Sequence, residues 1–201
     1  MITLYHKPNT RSARFVFLLE ELDAPYEIKL VSTRAGDGSG SPDPANPHPH
    51  GKVPAISDDG VVVWESSAIA LYLTDKFPRN GIGPVAGDPK RGAYLSWLSY
   101  YSGVMEPAWT MNFLNVQTPR GTAGWAPADE VMSFTFRTLE KGPFILGDKF
   151  SAADILIGTT FAMFMGSPLL PKTPLVEDYV KRVTGRSKYA VAMEKAGGQP
   201  H

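Results

Sequence analysis

The chain of 201 residues contains no cysteine. That excludes disulfide staples, cysteine-based metal sites and every mechanism needing a protein thiolate, so any thiol chemistry must take its sulfur from a ligand. An excess of one charge is lacking too: 20 basic side chains balance 20 acidic ones, with no run of Lys and Arg. Without a global field or a basic stripe, neither nucleic acid nor an anionic membrane is an expected partner. Long hydrophobic runs are also missing. The most apolar stretch, Ile155 to Met165, is too short to span a bilayer and reads as a buried helix. The opening MITLYHKPNTR lacks the apolar core of a signal peptide, so the expected location is the cytoplasm. The four histidines show no metal-ligand spacing and no metal is expected; His48 and His50 fall in a polar loop and are expected to be solvated.

What is present is ordinary globular composition, 43% hydrophobic and 20% charged, in a chain long enough for one domain or two small ones. Ile2 to Tyr5 reads as a short strand ending in the turn-rich Lys7-Pro8-Asn9-Thr10. From Ser12 to Leu22 the apolar positions fit a mostly buried helix, stopped by Asp23-Ala24-Pro25. Tyr26 to Val31 alternates as a strand, which makes a parallel βαβ unit. Ser32 to Pro49, rich in Gly, Ser, Pro and Asp, is a long exposed loop. Two apolar runs, Gly51 to Ser57 and Val61 to Trp64, flank Asp58-Asp59-Gly60 and predict a β-hairpin. A helix through about Phe77 then opens at Glu65-Ser66-Ser67, with Ser66 as its expected N-cap. The order βαβ, loop, ββα fits a small mixed sheet with helices on it. Beyond a Gly/Pro-rich linker, residues 79–88, strand signals nearly vanish. Helices are expected over Pro89 to Asn115, Ala128 to Lys141, Ala152 to Met165, Leu175 to Thr184 and Tyr189 to Ala196. The expected domains are therefore 1–78 and an all-helical 89–201.

The string Lys52-Val53-Pro54, followed by Glu65-Ser66, carries the chemistry. A cis Val53–Pro54 bond would turn the Val53 main chain outward, where its N–H and C=O could pair with an extended peptide. A helix N-terminus at Ser66 attracts a carboxylate, and Glu65 beside it can accept an ammonium group. A carboxylate and an ammonium on one carbon describe the α-amino-acid end of a peptide.

The pattern Asn46-Pro47 … Gly51-Lys52-Val53-Pro54-Ala55 … Glu65-Ser66-Ser67-Ala68-Ile69 resembles the cytosolic glutathione transferases, of the bacterial and fungal type without a catalytic cysteine. Downstream, Gly147-Asp148-Lys149-Phe150-Ser151-Ala152-Ala153-Asp154 is similar to the family's helix-capping motif, with Ser151 and Asp154 as a capping box. Tyr179, Arg182 and Arg186 resemble its C-terminal helix signature, with Ser187 where a proline usually stands. The resemblance spans essentially the whole chain. It implies α/β + all-α architecture: an N-terminal thioredoxin-like βαβ-ββα domain followed by an all-helical C-terminal domain. It implies glutathione as co-substrate: Val53, before the cis Pro54, pairing with the cysteinyl backbone, Glu65 and Ser66 holding the γ-glutamyl end, and Lys52 reaching the glycyl carboxylate. His50 and Arg11 are further candidates around the ligand. It also implies a homodimer and a role in detoxification.

A free thiol has a pKa near ~8.5, so a transferase must stabilise the thiolate by a hydrogen bond or a helix N-terminus. The turn after the first strand offers Tyr5, Asn9, Thr10, Arg11 and Ser12. Alignment of Arg14-Phe15 and Leu18-Leu19-Glu20-Glu21 with the family helix puts Thr10 where serine-type classes carry their serine, so Thr10 is the first candidate donor. Tyr5 comes second and Asn9 third. Arg11 could stabilise the thiolate by charge, and Ser12 reads as a helix cap. On the first long helix of the second domain, Tyr101, Met105 and Trp109 are candidates for an apolar electrophile pocket, although core packing is the better account of helical spacing for any one of them. Met163, Phe164 and Met165 read as structural. The implied reaction is transfer of the glutathione thiolate to a small hydrophobic electrophile. The rivals are a non-enzymatic glutathione-binding protein, a cysteine-free disulfide reductase using two glutathiones, and glutathione-dependent ether or halide cleavage.

Overall fold

A computed structural model describes residues 1–117 and 121–197; the end of the expected helical domain beyond 197 lies outside the described residues. The chain divides into two compact units, Met1–Gly81 with the segment from Arg186 onward, and Ile82–Gly185.

In the first unit, β1 (Ile2–His6) runs parallel to β2 (Tyr26–Leu30), joined by α1 (Ala13–Glu21). The antiparallel hairpin β3 (Ala55–Asp58) and β4 (Val61–Trp64) completes a four-stranded mixed sheet in the order β2-β1-β3-β4. This is the thioredoxin-like βαβ-ββα arrangement, closed by α2 (Ser66–Lys76). Burial alternates along β1, so Ile2, Leu4 and His6 face the core while Thr3 and Tyr5 face outward. Helix α1 buries Phe15 through Leu19 completely. It ends because Asp23 turns left-handed at φ 48, letting the Asp23 and Ala24 amides close on the Glu20 and Leu19 carbonyls at 3.1 Å each.

The last helix, α8 (Ser187–Lys195), belongs with this unit and packs on α1. Arg186 forks onto the buried Glu21 carboxylate with two bonds of 2.7 Å, and Phe17 meets the edge of the Tyr189 ring at 5.3 Å. The sequence had placed this helix in the second domain because covalent order gives no hint of a return across the chain.

The second unit is all helical. Its helices are α3 (Arg91–Tyr100), α4 (Glu106–Phe113), α5 (Ala128–Leu139), α6 (Ala152–Phe164) and α7 (Pro174–Thr184). The single helix expected from Pro89 to Asn115 is interrupted by a widened π-helical turn at Tyr101–Met105. Pro107 supplies the reason: without an N–H it cannot bond four residues back, and the wider turn absorbs the mismatch. Helix α6 is the core, buried from Ala152 to Gly158, although Met163 and Phe164 at its end are exposed. Gly158 lies against Val183 of α7 so closely that a Cβ would sit 2.6 Å from a Val183 methyl.

The capping box forms as expected. Ser151 donates its amide and its hydroxyl to Asp154 Oδ2, each at 2.9 Å, and Asp154 Oδ1 also accepts from the Ile145 amide at 2.8 Å and the Tyr179 hydroxyl at 3.0 Å. Burial nevertheless pushes the Asp154 carboxyl up to about 6. Among the described residues no helix is long and apolar enough to cross a membrane.

Candidate functional site

The sheet brings the first pieces together. Pairing of β1 with β3 sets Tyr5 opposite Ala55, beside Pro54, and the Val53–Pro54 bond is cis. The hydrogen-bonded ladder of the hairpin begins only at Ala55, so Val53 stands before it. Asn46 sets the course of the incoming loop: its side-chain amide donates to the Lys52 carbonyl at 2.9 Å, and its own oxygen accepts the His48 amide at 3.1 Å. Lys52 and His50 are exposed at this edge.

His48 corrects the expectation of a solvated ring. It is buried, stands 6.0 Å from the Trp64 ring, and accepts the His50 amide on Nδ1 at 3.1 Å. Nε2 therefore carries the proton of the neutral ring and lies 3.7 Å from Glu65 Oε1. Burial holds the His48 pKa below its ordinary value, with the Glu65 charge pulling the other way and His50 and Lys52 adding to the depression. The loop ring thus stands beside a carboxylate expected to meet the ligand.

Glu65 is the residue flanking α2, at φ 70, a left-handed backbone uncommon for a side chain this long. Such strain concentrates at binding positions. Ser66 occupies the first helical position rather than the N-cap, and Glu65 makes no side-chain cap bond. The expected serine cap is therefore absent. The reason is geometric: the kink falls one residue earlier, leaving the amides that open α2 without a capping side chain from Glu65. An exposed carboxylate next to that helix start matches the charge pattern of an α-amino acid.

The second cluster lies in the turn between β1 and α1. Thr10, half-buried, holds Oγ1 at 2.7 Å from the Lys7 carbonyl oxygen and 2.8 Å from Ser12 Oγ. Ser12 does flank α1, but its backbone is already helical and its side chain makes no cap bond. Its hydroxyl is drawn inward instead, to His6, Lys7 and Thr10. Asn9 and Arg11 are exposed, Asn9 at φ 57. Tyr5 lies on the outward face of β1, with the Lys29 ammonium 5.5 Å from its ring centre. Thr10 and Ser12 both carry a hydroxyl just before α1; Ser12 is buried, and Thr10 is the half-buried one of the two.

Tyr101, Met105 and Trp109 belong to the helical unit. Tyr101 and Met105 are buried; the Tyr101 hydroxyl donates to Glu106 and lies 2.9 Å from Thr160 Oγ1. Trp109 donates to Met132 sulfur at 3.2 Å and stacks on Phe161. Among the described residues no group of acidic or histidine side chains could hold a metal ion. His6 escaped the sequence reading. Its signal was present: the alternation Ile2, Leu4, His6 puts a titratable ring on a buried face, where a partner is obligatory.

Residues 1–75 match the family model described as glutathione S-transferase, N-terminal domain. The chain is 28% identical over 186 residues to glutathione S-transferase D7 of Drosophila melanogaster, covering 90% of this chain and 83% of that protein. It is also 28% identical over 211 residues to the disulfide-bond oxidoreductase YfcG of Escherichia coli, covering 98% and 96%. Among solved structures, a glutathione transferase from Methylococcus capsulatus superposes with a TM-score of 0.76 at 28% identity, over 98% of this chain and 99% of that one.

Proposed function

We propose that this chain, which belongs to the cytosolic glutathione transferase family, binds reduced glutathione and transfers its thiolate to a small apolar electrophile. The observation that carries the reading is Thr10: a half-buried hydroxyl at the turn into α1, in the same unit as the cis Val53–Pro54 edge and the Glu65–Ser66 helix start. Glutathione lies extended along Val53, whose main chain pairs with the cysteinyl residue. The γ-glutamyl ammonium meets Glu65, its carboxylate meets Ser66 and the α2 amides, and the glycyl carboxylate lies toward Lys52, with His50 and Arg11 as flanking groups. Thr10 donates its proton to the sulfur, with Tyr5 and Asn9 as the alternative donors. A hydrogen bond to the charged form lowers the thiol pKa, and a helix N-terminus adds to it.

The electrophile is assigned to the helical unit, with Tyr101, Met105 and Trp109 as the apolar residues in question; their aromatic and thioether character supports an adaptable lining, although Tyr101 and Met105 are buried and Trp109 alone of the three is partly exposed. Family membership supports a homodimer, a cytoplasmic location and a detoxifying role. The domain division in use is 1–78, a linker 79–88, and the helical remainder, with α8 returning to the first unit. One alternative has its own support. The likeness to a disulfide-bond oxidoreductase over nearly the full chain favours disulfide reduction in which two glutathiones supply both sulfurs, since no protein thiol exists. Steady-state assays with an aryl halide and with a glutathione-capped disulfide separate the two. Turnover of the halide alone supports conjugation, turnover of the disulfide alone supports reduction, and tight glutathione binding with neither leaves a non-enzymatic binding protein.

A further inference from the structure

His6 closes β1 on its buried face and is fully enclosed, yet the function proposed above does not use it. Its Nε2 lies 2.9 Å from the Ala196 carbonyl oxygen at the end of α8. A carbonyl only accepts, so Nε2 carries a proton and Nδ1 of the neutral ring is an acceptor. Nδ1 lies 2.7 Å from Ser12 Oγ, which donates to it. Ser12 Oγ lies 2.8 Å from Thr10 Oγ1. An unbroken chain thus runs from the half-buried Thr10 hydroxyl to an imidazole whose far side is fixed by the backbone.

We propose that His6, acting through Ser12 and Thr10, is the internal acceptor of the proton that glutathione loses when its thiolate forms. This rests on the reading that Thr10 meets the sulfur. The S–H bond breaks and its electron pair stays on sulfur. The thiol proton passes to Thr10 Oγ1 as the Thr10 proton passes to Ser12 Oγ and the Ser12 proton passes to His6 Nδ1. Nothing is oxidised or reduced, and the net charge is unchanged because thiolate and imidazolium form together. After the thiolate has attacked, the proton returns by the same chain to the leaving group or to water at the turn.

Hydrogen accounting is consistent with this pairing. With a thiol and neutral His6, every contact holds one proton: sulfur to Thr10, Thr10 to Ser12, Ser12 to Nδ1. With a thiolate and imidazolium, every contact again holds one, in the reverse sense. A thiolate with neutral His6 leaves the 2.8 Å oxygen contact without a hydrogen when Ser12 donates to Nδ1, as does the unliganded turn when Thr10 donates to the Lys7 carbonyl. In this relay thiol and imidazole titrate as a coupled pair. Without ligand, the Lys7 carbonyl at 2.7 Å is the alternative acceptor for the Thr10 proton.

The surroundings keep the ring neutral until a thiol arrives. Burial pulls the His6 pKa down, opposed by the bond to Ala196. The charged groups on the packed elements are engaged elsewhere: Glu27 of β2 with Thr3, Lys29 of β2 over Tyr5, Glu20 and Glu21 of α1 with Lys195 and Arg186, Lys188 of α8 with Asp23, and Asp58 of β3 with Lys76. Lys7 beside it bonds Thr33. Arg14 of α1 and Glu194 of α8 are the remaining charges on these helices, and neither is among the two partners of His6. His6 touches no substrate and is a positioning residue.

The test is nitrogen NMR of the imidazoles in the full chain, titrated against pH with and without reduced glutathione, alongside the ultraviolet absorbance of the bound thiolate. Without glutathione, His6 is expected to remain neutral with its proton on Nε2. With glutathione, Nδ1 of His6 is expected to gain a proton in step with the thiolate signal. A thiolate that forms while His6 stays neutral overturns the relay and leaves the glutathione site intact. Absence of any protein-bound thiolate overturns the site and the relay with it. Ser12→Ala, which interrupts the chain, is expected to lower kcat about tenfold with KM for glutathione changed less than about twofold. An unchanged kcat and pH profile in that variant contradicts the relay.

Discussion

Replacing Asp154 by alanine should destabilise the helical unit far more than the loss of a surface cap. An exposed capping box is worth on the order of 1 kcal/mol. Here the carboxylate is fully buried and accepts four hydrogen bonds, from the Ser151 amide and hydroxyl, the Ile145 amide and the Tyr179 hydroxyl. The Ser151 hydroxyl can rotate to a new partner, but the other three donors are left in the core. Each orphaned buried donor costs about 1–3 kcal/mol. Allowing for the relief of no longer burying a charge, the expected loss near neutral pH is about 3–5 kcal/mol, a large share of a typical domain's about 5–15 kcal/mol. The pH dependence follows from a carboxyl held at about 6 in the fold, above the ordinary 3.8. Its protonated form is favoured on folding, so its contribution to stability is fullest below the ordinary value and is lost as pH rises through about 6. The alanine variant lacks this gain, so the gap to the parent chain should widen by about 1 kcal/mol between about pH 7 and about pH 5. Urea unfolding followed by circular dichroism at the two pH values measures both quantities. A loss below about 1 kcal/mol, or a gap that narrows as pH falls, refutes the reasoning.

Four further outcomes follow from the same contacts. Thr10→Ala should leave glutathione affinity within about twofold while lowering kcat at least about tenfold; unchanged turnover moves the donor to Tyr5 or Asn9. Glu65→Ala should weaken glutathione binding by roughly tenfold to a hundredfold in calorimetry, the worth of one charge-assisted bond, and an unchanged Kd removes Glu65 from the ligand's ammonium. Arg186→Ala strips the buried Glu21 carboxylate of its bidentate partner and should cost about 3 kcal/mol in denaturant unfolding; a change below about 0.5 kcal/mol would mean that solvent replaces the guanidinium. Gly158→Ala puts a methyl within 2.6 Å of Val183 and should cost about 1–3 kcal/mol as α6 and α7 move apart, with the melting temperature as readout; a gain in stability would show that the helices adjust freely.

The element order was legible because it rests on local periodicity. The buried run Phe15–Leu19, the alternating Tyr26–Leu30 and the Asp59-Gly60 turn each determine their own structure without distant help. The capping box was legible for the same reason, since Ser151 and Asp154 act within one helical turn. What escaped depends on partners outside the element's own periodic pattern. Nothing near Ser12 announces that its hydroxyl turns away from its own helix, because the attraction comes from His6 and a strand end. Nothing near His48 announces burial, which Trp64 and the returning loop provide. Helix α8 joins the first unit through Glu21 and Phe17, more than 160 residues away. Pro107 stands inside the helix expected from Pro89 to Asn115, and the form of the break before it, a widened turn at Tyr101–Met105, is a matter of backbone geometry that composition does not carry.

The most direct test of thiolate activation is the ultraviolet absorbance of protein-bound glutathione titrated against pH. A bound thiol pKa clearly below that of free glutathione is expected if Thr10 and the start of α1 stabilise the charged sulfur. Binding with an unshifted pKa, or no binding, would contradict it.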